Sequence, residues 1–197
     1  MFIVTPCAAG CGRPALSDST LCAVHSADPQ AEVRRIGDYI VRSERVINLN
    51  AQGLHFEDMD FSRTRFYGTT FTGSRFTRCV FSGAMMRLTF FDFTVLDSCD
   101  FSKGDFQFLS FAGAEIQDCT FEGSELVHIN FGGAKIQNTI FRAANLYNSR
   151  FIEAELSEAD LSDCNLKRTN FIMSKREGIL LKSSNTGEAV FEMEDME

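Results

Sequence analysis

Four side chains near the start of the chain have the types and spacing to hold a metal ion. Cys7, Cys11, Cys22 and His25 form the pattern C-x3-C-x10-C-x2-H. Three thiolates and one imidazole close a tetrahedral shell around Zn2+ and leave no position for water or substrate. The chemistry expected here is structural rather than catalytic. A bound ion would also explain how so short a segment, with too few residues for a hydrophobic core, keeps a fixed shape. The competing reading is a chance cluster of cysteines in a loose N-terminal segment.

Nothing else in the sequence has catalytic spacing. It contains no nucleotide-binding glycine motif, no nucleophile elbow and no spaced acid–base pair. Of its three histidines, His25 belongs to the metal motif, and His55 and His128 fall at isolated, outward positions. The chain is therefore expected not to be an enzyme. Its net charge of −8 argues against direct nucleic-acid binding, which needs a basic surface. A basic partner, or imitation of a polyanion, stays open. No apolar run approaches the ~20 residues that span a bilayer. Met1–Val4 lacks the length and charged flank of a signal peptide. A cytoplasmic protein with no membrane partner is expected, and seven cysteines, an odd number, fit a compartment without disulfides.

The scaffold behind the metal motif announces itself as a repeat. From Phe56 to Phe171 every fifth residue is large and apolar: 24 positions in succession, 15 of them Phe. The residue two places earlier is usually small, as at Ser74, Ala84, Ala114, Ser124 and Ala134. A period of five matches neither a helix nor a flat strand. The chain must turn a corner about once per unit, so that one residue in five always faces a common axis. Cys79, Cys99, Cys119 and Cys164 fall on the small inward position, the first three evenly spaced at every fourth unit. That separation permits a disulfide, but free cysteine as a small buried hydrophobe accounts for all four.

Units such as Ala144-Asn145-Leu146-Tyr147-Asn148 and Ala159-Asp160-Leu161-Ser162-Asp163 closely resemble the A(D/N)LXX pattern of the pentapeptide-repeat family. The resemblance covers residues 56–173. It implies an all-β solenoid, a right-handed four-sided β-helix with one pentad per side and four pentads per coil. Six coils follow, roughly 29 Å long at ~4.8 Å per coil. The four-pentad register passes an internal check. One side stacks Phe71, Phe91, Phe111, Phe131, Phe151 and Phe171, and the opposite side Phe61, Phe81, Phe101, Phe121 and Phe141. The sides between turn mostly aliphatic, as a narrow core without voids requires. The N-terminal motif in turn resembles short bacterial zinc-knuckle segments of the form C…GC-x-RP…LC-x2-H, with Gly10, Arg13, Pro14 and Leu21 agreeing.

Four regions result: a zinc-binding knuckle (1–28), a capping helix and lead-in (29–55), the β-helix (56–173) and a C-terminal cap or hairpin with an acidic tail (174–197). After Pro29, the residues Val33, Ile36, Tyr39, Ile40 and Ile47 fall at helical spacing, suited to covering the open end of the first coil. Gly178–Leu181 and Ala189–Phe191 flank Asn185-Thr186-Gly187 as a hairpin would. Such a hairpin could cap the far end or pair with a second copy in a homodimer.

Function must then lie on the surface. Residues 56–90 carry five Arg against Glu57, Asp58 and Asp60, whereas 91–165 hold 13 acids against four cations, so acidity gathers in the later coils. Met85, Leu88, Phe90, Phe93 and Phe108 occupy positions the repeat should point outward. Contiguous exposed apolar area marks an interaction site. Leu88 and Phe108, one coil apart, should share one side with Val127 and Tyr147. The alternative is an irregular coil over 85–95 that folds some of them inward. The expected function is a non-enzymatic scaffold whose rigid rod docks a protein partner. The alternative comes from the family resemblance: some members are understood to mimic DNA and to modulate or protect gyrase and other type II topoisomerases.

Overall fold

The structure, a computed structural model, describes residues 5–192. One helix, α1 (Pro29–Arg42), precedes twelve strands of three residues each. These are β1 (Arg45–Ile47), β2 (His55–Glu57), β3 (Arg65–Tyr67), β4 (Arg75–Thr77), β5 (Met85–Arg87), β6 (Val95–Asp97), β7 (Asp105–Gln107), β8 (Glu115–Gln117), β9 (Glu125–Val127), β10 (Lys135–Gln137), β11 (Glu155–Ser157) and β12 (Lys175–Glu177). β1, β3, β5, β7 and β9 stack as one parallel sheet, and the other seven as a second. The register is four pentads: Val46 lies beside Phe66 and Phe56 beside Phe76. Parallel bridges at the same spacing, such as Thr70–Phe90 and Val80–Asp100, build the remaining two sides. The result is a four-sided β-solenoid.

It has about seven turns rather than the expected six, roughly 34 Å of rod at ~4.8 Å per turn. The extra turn comes from both ends. Val46 and Ala51 already occupy fully buried central positions. At the other end Arg176 pairs in register with Leu156, and Phe191 stacks on Phe171 at 5.0 Å. A small Ala and a charged Arg at central positions break the apolar pattern, which is why the sequence repeat runs short of the structural one. The expected C-terminal hairpin does not form. Leu180 bridges Asp160 and Val190 bridges Asn170, both parallel, with a 3-10 turn at Thr186–Glu188 between them. Residues 193–197, most of the acidic tail, and Met1–Val4 lie outside the described residues.

The corners have one conformational cause. Every fifth residue from Asn48 to Ser183 has a positive φ, twenty of them non-glycine and eight glycine. After Phe71, for example, Gly73 has φ +67 and the Ser74 N–H donates to the Phe71 carbonyl at 2.9 Å. That is the pattern of a type II turn, whose third residue must be left-handed.

Inside, the two Phe walls stack face to face along the axis. Phe91, Phe111 and Phe131 lie 5.0 and 5.2 Å apart with planes 9° from parallel. Phe101 and Phe121 meet Phe111 edge-on at 6.1 and 5.9 Å. Both arrangements suit the ring quadrupole. The small inward residues do more than save space. Ser124 and Thr169 hydroxyls donate to the carbonyls of Phe101 and Leu146 at 2.7 and 2.8 Å. Cys99 and Cys164 thiols do the same to Phe76 and Phe141 at 3.5 and 3.0 Å. These buried cysteines are free. The neighbouring Cys119 thiol and burial push Cys99 up to about 12, and burial pushes Cys164 up to about 11. They are inert packing groups.

Helix α1 begins with Asp28 accepting from the Ala31 N–H at 2.9 Å and Pro29 in the first turn, where its missing N–H is harmless. It buries Val33, Ile36, Gly37 and Ile40. Gly37 lets the Met59 thioether of the first full coil lie against the helix backbone, and a Cβ there would have to displace that flexible side chain. Tyr39 and Ile47, assigned from the sequence to the apolar helical face, are half exposed, and Ile47 lies in β1.

Candidate metal centre and docking face

The N-terminal segment is folded by short loops that bring its four ligand side chains together. Pro6 bridges Pro14, the Cys7 N–H donates to the Arg13 carbonyl at 2.9 Å, and Gly10 and Gly12 turn the loop at φ +71 and +75. A second turn, His25 N–H to Cys22 carbonyl at 3.0 Å, aims the imidazole back. Cys7, Cys11, Cys22 and His25 then place their ligand atoms within 4.8 Å of one another. Cys11 and Cys22 sulfurs are 3.8 Å apart, and His25 Nδ1 is 3.6 and 3.5 Å from the sulfurs of Cys7 and Cys22. A tetrahedral ion with bonds of about 2.3 Å to sulfur and about 2.0–2.1 Å to nitrogen has edges of about 3.8 and 3.5 Å. The four residues fit a tetrahedral ion.

Two of the three thiols are shifted toward thiolate. Burial opposes ionisation of Cys22, yet the backbone N–H groups of His25 and Val24 and the Cys7 and His25 side chains bring its thiol down to about 6. The Cys22 N–H, donating to Cys7 sulfur at 3.4 Å, lowers Cys7, and the Cys7 and Cys22 sulfurs raise His25. Cys11, against the lowering effect of the Arg13 backbone N–H, is raised by burial and by the Cys22 and Cys7 thiols. Thiolate character is what a metal requires. The knuckle is fixed to the rod by polar bonds. Asn50 donates its amide to the Ala15 carbonyl at 2.5 Å. Its backbone N–H donates to the Ser17 hydroxyl at 2.8 Å, and its carbonyl accepts from the Ser17 N–H at 3.0 Å. Arg35 of α1 reaches the Ser17 carbonyl at 2.6 Å. A hollow of about 800 Å3 between knuckle, helix and first coil includes Tyr39, Ile47 and Asn50, with Asp18 its one carboxylate.

The outward apolar residues do not fold inward, because residues 85–95 form a regular coil. Leu88, Phe93 and Phe108 are 53%, 70% and 52% exposed, and Met85 and Phe90 are half-buried. Leu88 and Phe108 share one corner, as their spacing required. Phe93 stands at the next corner along the same coil, and Phe90 lies between on the side they bound. All three exposed residues adopt positive φ, 52°, 55° and 57°, in place of the Gly, Asn and Asp that such corners favour. His128, set aside from the sequence as an isolated outward residue, stacks on Phe108 at 4.9 Å and 3°. Its place one coil on from Phe108 was the signal available.

The later acidic coils are partly neutralised. Arg142 contacts Asp160 at 2.6 Å and Glu122 at 3.8 Å, and Lys175 contacts Glu155 at 2.6 Å. Among the described residues no helix is long and apolar enough to cross a membrane.

Residues 114–191 match a family model described as a pentapeptide repeat region, and residues 46–78 and 74–107 one described as pentapeptide repeats (8 copies). No curated protein matches the chain in sequence. Among solved structures, the chain is similar to HetL, a pentapeptide repeat protein involved in heterocyst differentiation regulation from the cyanobacterium Nostoc sp. strain PCC 7120. The two are 14% identical over 79% of this chain and 94% of that one, with a TM-score of 0.35. It is similar also to QnrB1, a plasmid-mediated fluoroquinolone resistance protein, at 16% identity over 72% and 83% of the two chains and a TM-score of 0.45. Rfr23, from the cyanobacterium Cyanothece 51142, gives 14% identity, 80% and 99% coverage and a TM-score of 0.39.

Proposed function

The chain belongs to the pentapeptide-repeat family, and on that premise we propose that it is a non-enzymatic scaffold whose rigid rod docks a protein partner. One observation carries this reading: Leu88, Phe93 and Phe108 are exposed large apolar side chains at corners of unfavourable backbone conformation. They add nothing to a core already filled by the Phe walls. A water-exposed surface keeps such a patch for contact with another macromolecule. The knuckle holds structural Zn2+ through Cys7, Cys11, Cys22 and His25 and closes the first end of the rod. Four ligands saturate the ion, so it supplies fold rather than reactivity. Free cysteines throughout suit the cytoplasm.

Imitation of DNA toward a topoisomerase is supported less. Its acidic surface is interrupted by the ion pairs of Arg142 and Lys175 and by the uncompensated Arg150. The docking reading is tested with Leu88→Asp plus Phe108→Asp in the full chain. Circular dichroism should stay unchanged while partner association or self-association is lost. Association that survives this pair of charges removes the docking face.

A further inference from the structure

Along the corner that carries Leu88 and Phe108 the character of the surface changes from apolar to cationic. The Phe108 ring stacks on His128, and His128 meets Tyr147 edge-on at 6.0 Å. The Asn148 amide donates to His128 Nδ1 at 2.6 Å. That bond places the proton of the neutral ring on Nε2 and leaves an N–H donor free. Beside this stack lies a hollow of about 240 Å3, lined by Phe108, His128, Ile129, Asn130, Asn148 and Arg150.

The Arg150 side chain is exposed, and its guanidinium makes no hydrogen bond or ion pair among the described residues. It lies on the side that runs from the Leu88 corner to the Phe93 corner, with Arg168 on the Leu88 corner itself. The acids on that side do not answer it. Asp92 accepts from the Ser110 hydroxyl and the Ala112 N–H, Glu153 stands at the far corner, and Glu192 pairs with Arg176. One coil further on, the Arg168 guanidinium contacts only the Tyr147 hydroxyl, at 3.2 Å, and its ring. In a chain of net charge −8, two guanidiniums without a carboxylate lie at the end of an apolar patch.

We propose that the docking face accepts an extended acidic segment of a partner protein. A large apolar side chain of that segment rests on Leu88 and Phe108. A carboxylate further along enters the Arg150 hollow, against the guanidinium, the His128 Nε2–H and the Asn148 amide. Charge complementarity chooses this occupant: a guanidinium presents a rigid fork of donors that matches a carboxylate. The rod also sets the spacing. Leu88 and Arg150 are three coils apart, roughly 14 Å, which an extended chain covers in about four residues at ~3.3 Å each. The segment therefore runs along the rod axis, across the strands, and is selected by its side chains.

This inference rests on the docking face proposed above and is tested so that the two fail separately. The probe is a fluorescein-labelled Gly/Ser peptide with one Phe and, four residues on, two adjacent Glu; its controls carry Lys for Glu, or Ala for Phe. Anisotropy is measured with the full chain. The acidic probe should bind at least about tenfold more tightly than the Lys control. Arg150→Ala should weaken it by about tenfold, and Arg150→Glu should reverse the preference toward the Lys peptide. Equal binding of acidic and basic probes, an unaltered preference in Arg150→Glu, or no binding of the acidic probe below millimolar overturns the proposal. Sensitivity of the partner to Leu88→Asp/Phe108→Asp together with indifference to Arg150 removes the acidic segment and leaves the docking face standing.

Discussion

Phe93→Asn separates a side chain kept for a partner from one kept for the fold. The Phe93 residue is 70% exposed, so about a third of its area is covered, chiefly where the ring lies against Gly113. An aromatic side chain buries roughly 150–250 Å2 when fully covered. The covered third is roughly 60 Å2, which contributes about 1.5 kcal/mol at about 25 cal/mol/Å2. Against this stands the backbone: holding an ordinary residue in the left-handed region costs roughly 1–2 kcal/mol. Asn bears that conformation more easily and already fills the corners at Asn48, Asn138 and Asn148. The two effects nearly cancel, and the variant should unfold in urea within about 1 kcal/mol of the parent. Two residues earlier, Phe91 is fully buried and stacked between Phe71 and Phe111. Its replacement by Ala should cost about 3–5 kcal/mol, because hydrogen bonds to the coils above and below prevent collapse. Association with the partner should fall at least tenfold in Phe93→Asn. A stability loss above about 2 kcal/mol, more than the covered area can supply, refutes the assignment of Phe93 to the docking face. Unchanged association refutes it equally.

The metal centre and the acidic coils give two further expectations. Purified protein should contain about one equivalent of zinc by elemental analysis; Cys22→Ser should bring this below half and lower the melting temperature while leaving the β-type circular dichroism of the coils. Asp160, buried and bonded to Ser162 and Arg142, has its carboxyl held below the usual 3.8, the hydrogen bonds overcoming desolvation. Its folded value is depressed, so its contribution is present above the unfolded value and lost as pH falls through the folded one. Asp160→Asn should therefore cost about 1 kcal/mol at pH ~7, and the gap should close as pH falls through the folded value, which lies below the usual 3.8; a gap that persists beneath it would place the effect in packing rather than charge.

The core was legible because it obeys one rule at one spacing. Residues such as Phe111 and Phe131 had to face the axis once the period was found, and the cysteine and histidine spacing marked the candidate metal ligands, which the fold brings within 4.8 Å of one another. What escaped the pattern did so for local reasons. Ala51 is too small and Arg176 too polar to count as central residues, yet backbone pairing carries the coil through both. Arg176 is tolerated because its guanidinium lies over Phe191 at 5.1 Å and reaches Glu192 at 2.9 Å. The carbonyl-bonding role of Ser124 and Cys164 was invisible, since size alone explained their position. His128 looked solitary because the neighbours that define it, Phe108 and Asn148, each lie a full coil away along the chain.

The regularity of the rod makes its exceptions informative. Each coil is bonded to both neighbours, as Phe111 N–H is to the Asn130 carbonyl at 2.7 Å and Ser110 N–H to the Thr89 carbonyl at 3.2 Å. Such a rod has no loop or hinge among these coils with which to adapt to a ligand, so selectivity must come from fixed spacing. Spacing is useful only if the ends of the rod hold, because an open coil presents unpaired strand edges. At the first end the edge is covered by α1 and by the knuckle, whose Ser17 pairs with Asn50. In the proposed function, metal binding and partner docking are thus linked through the fold. An ion held there would order a segment too small to order itself, that segment closes the first coil, and the closed coil keeps Leu88, Phe108 and Arg150 at the intervals a partner would have to match.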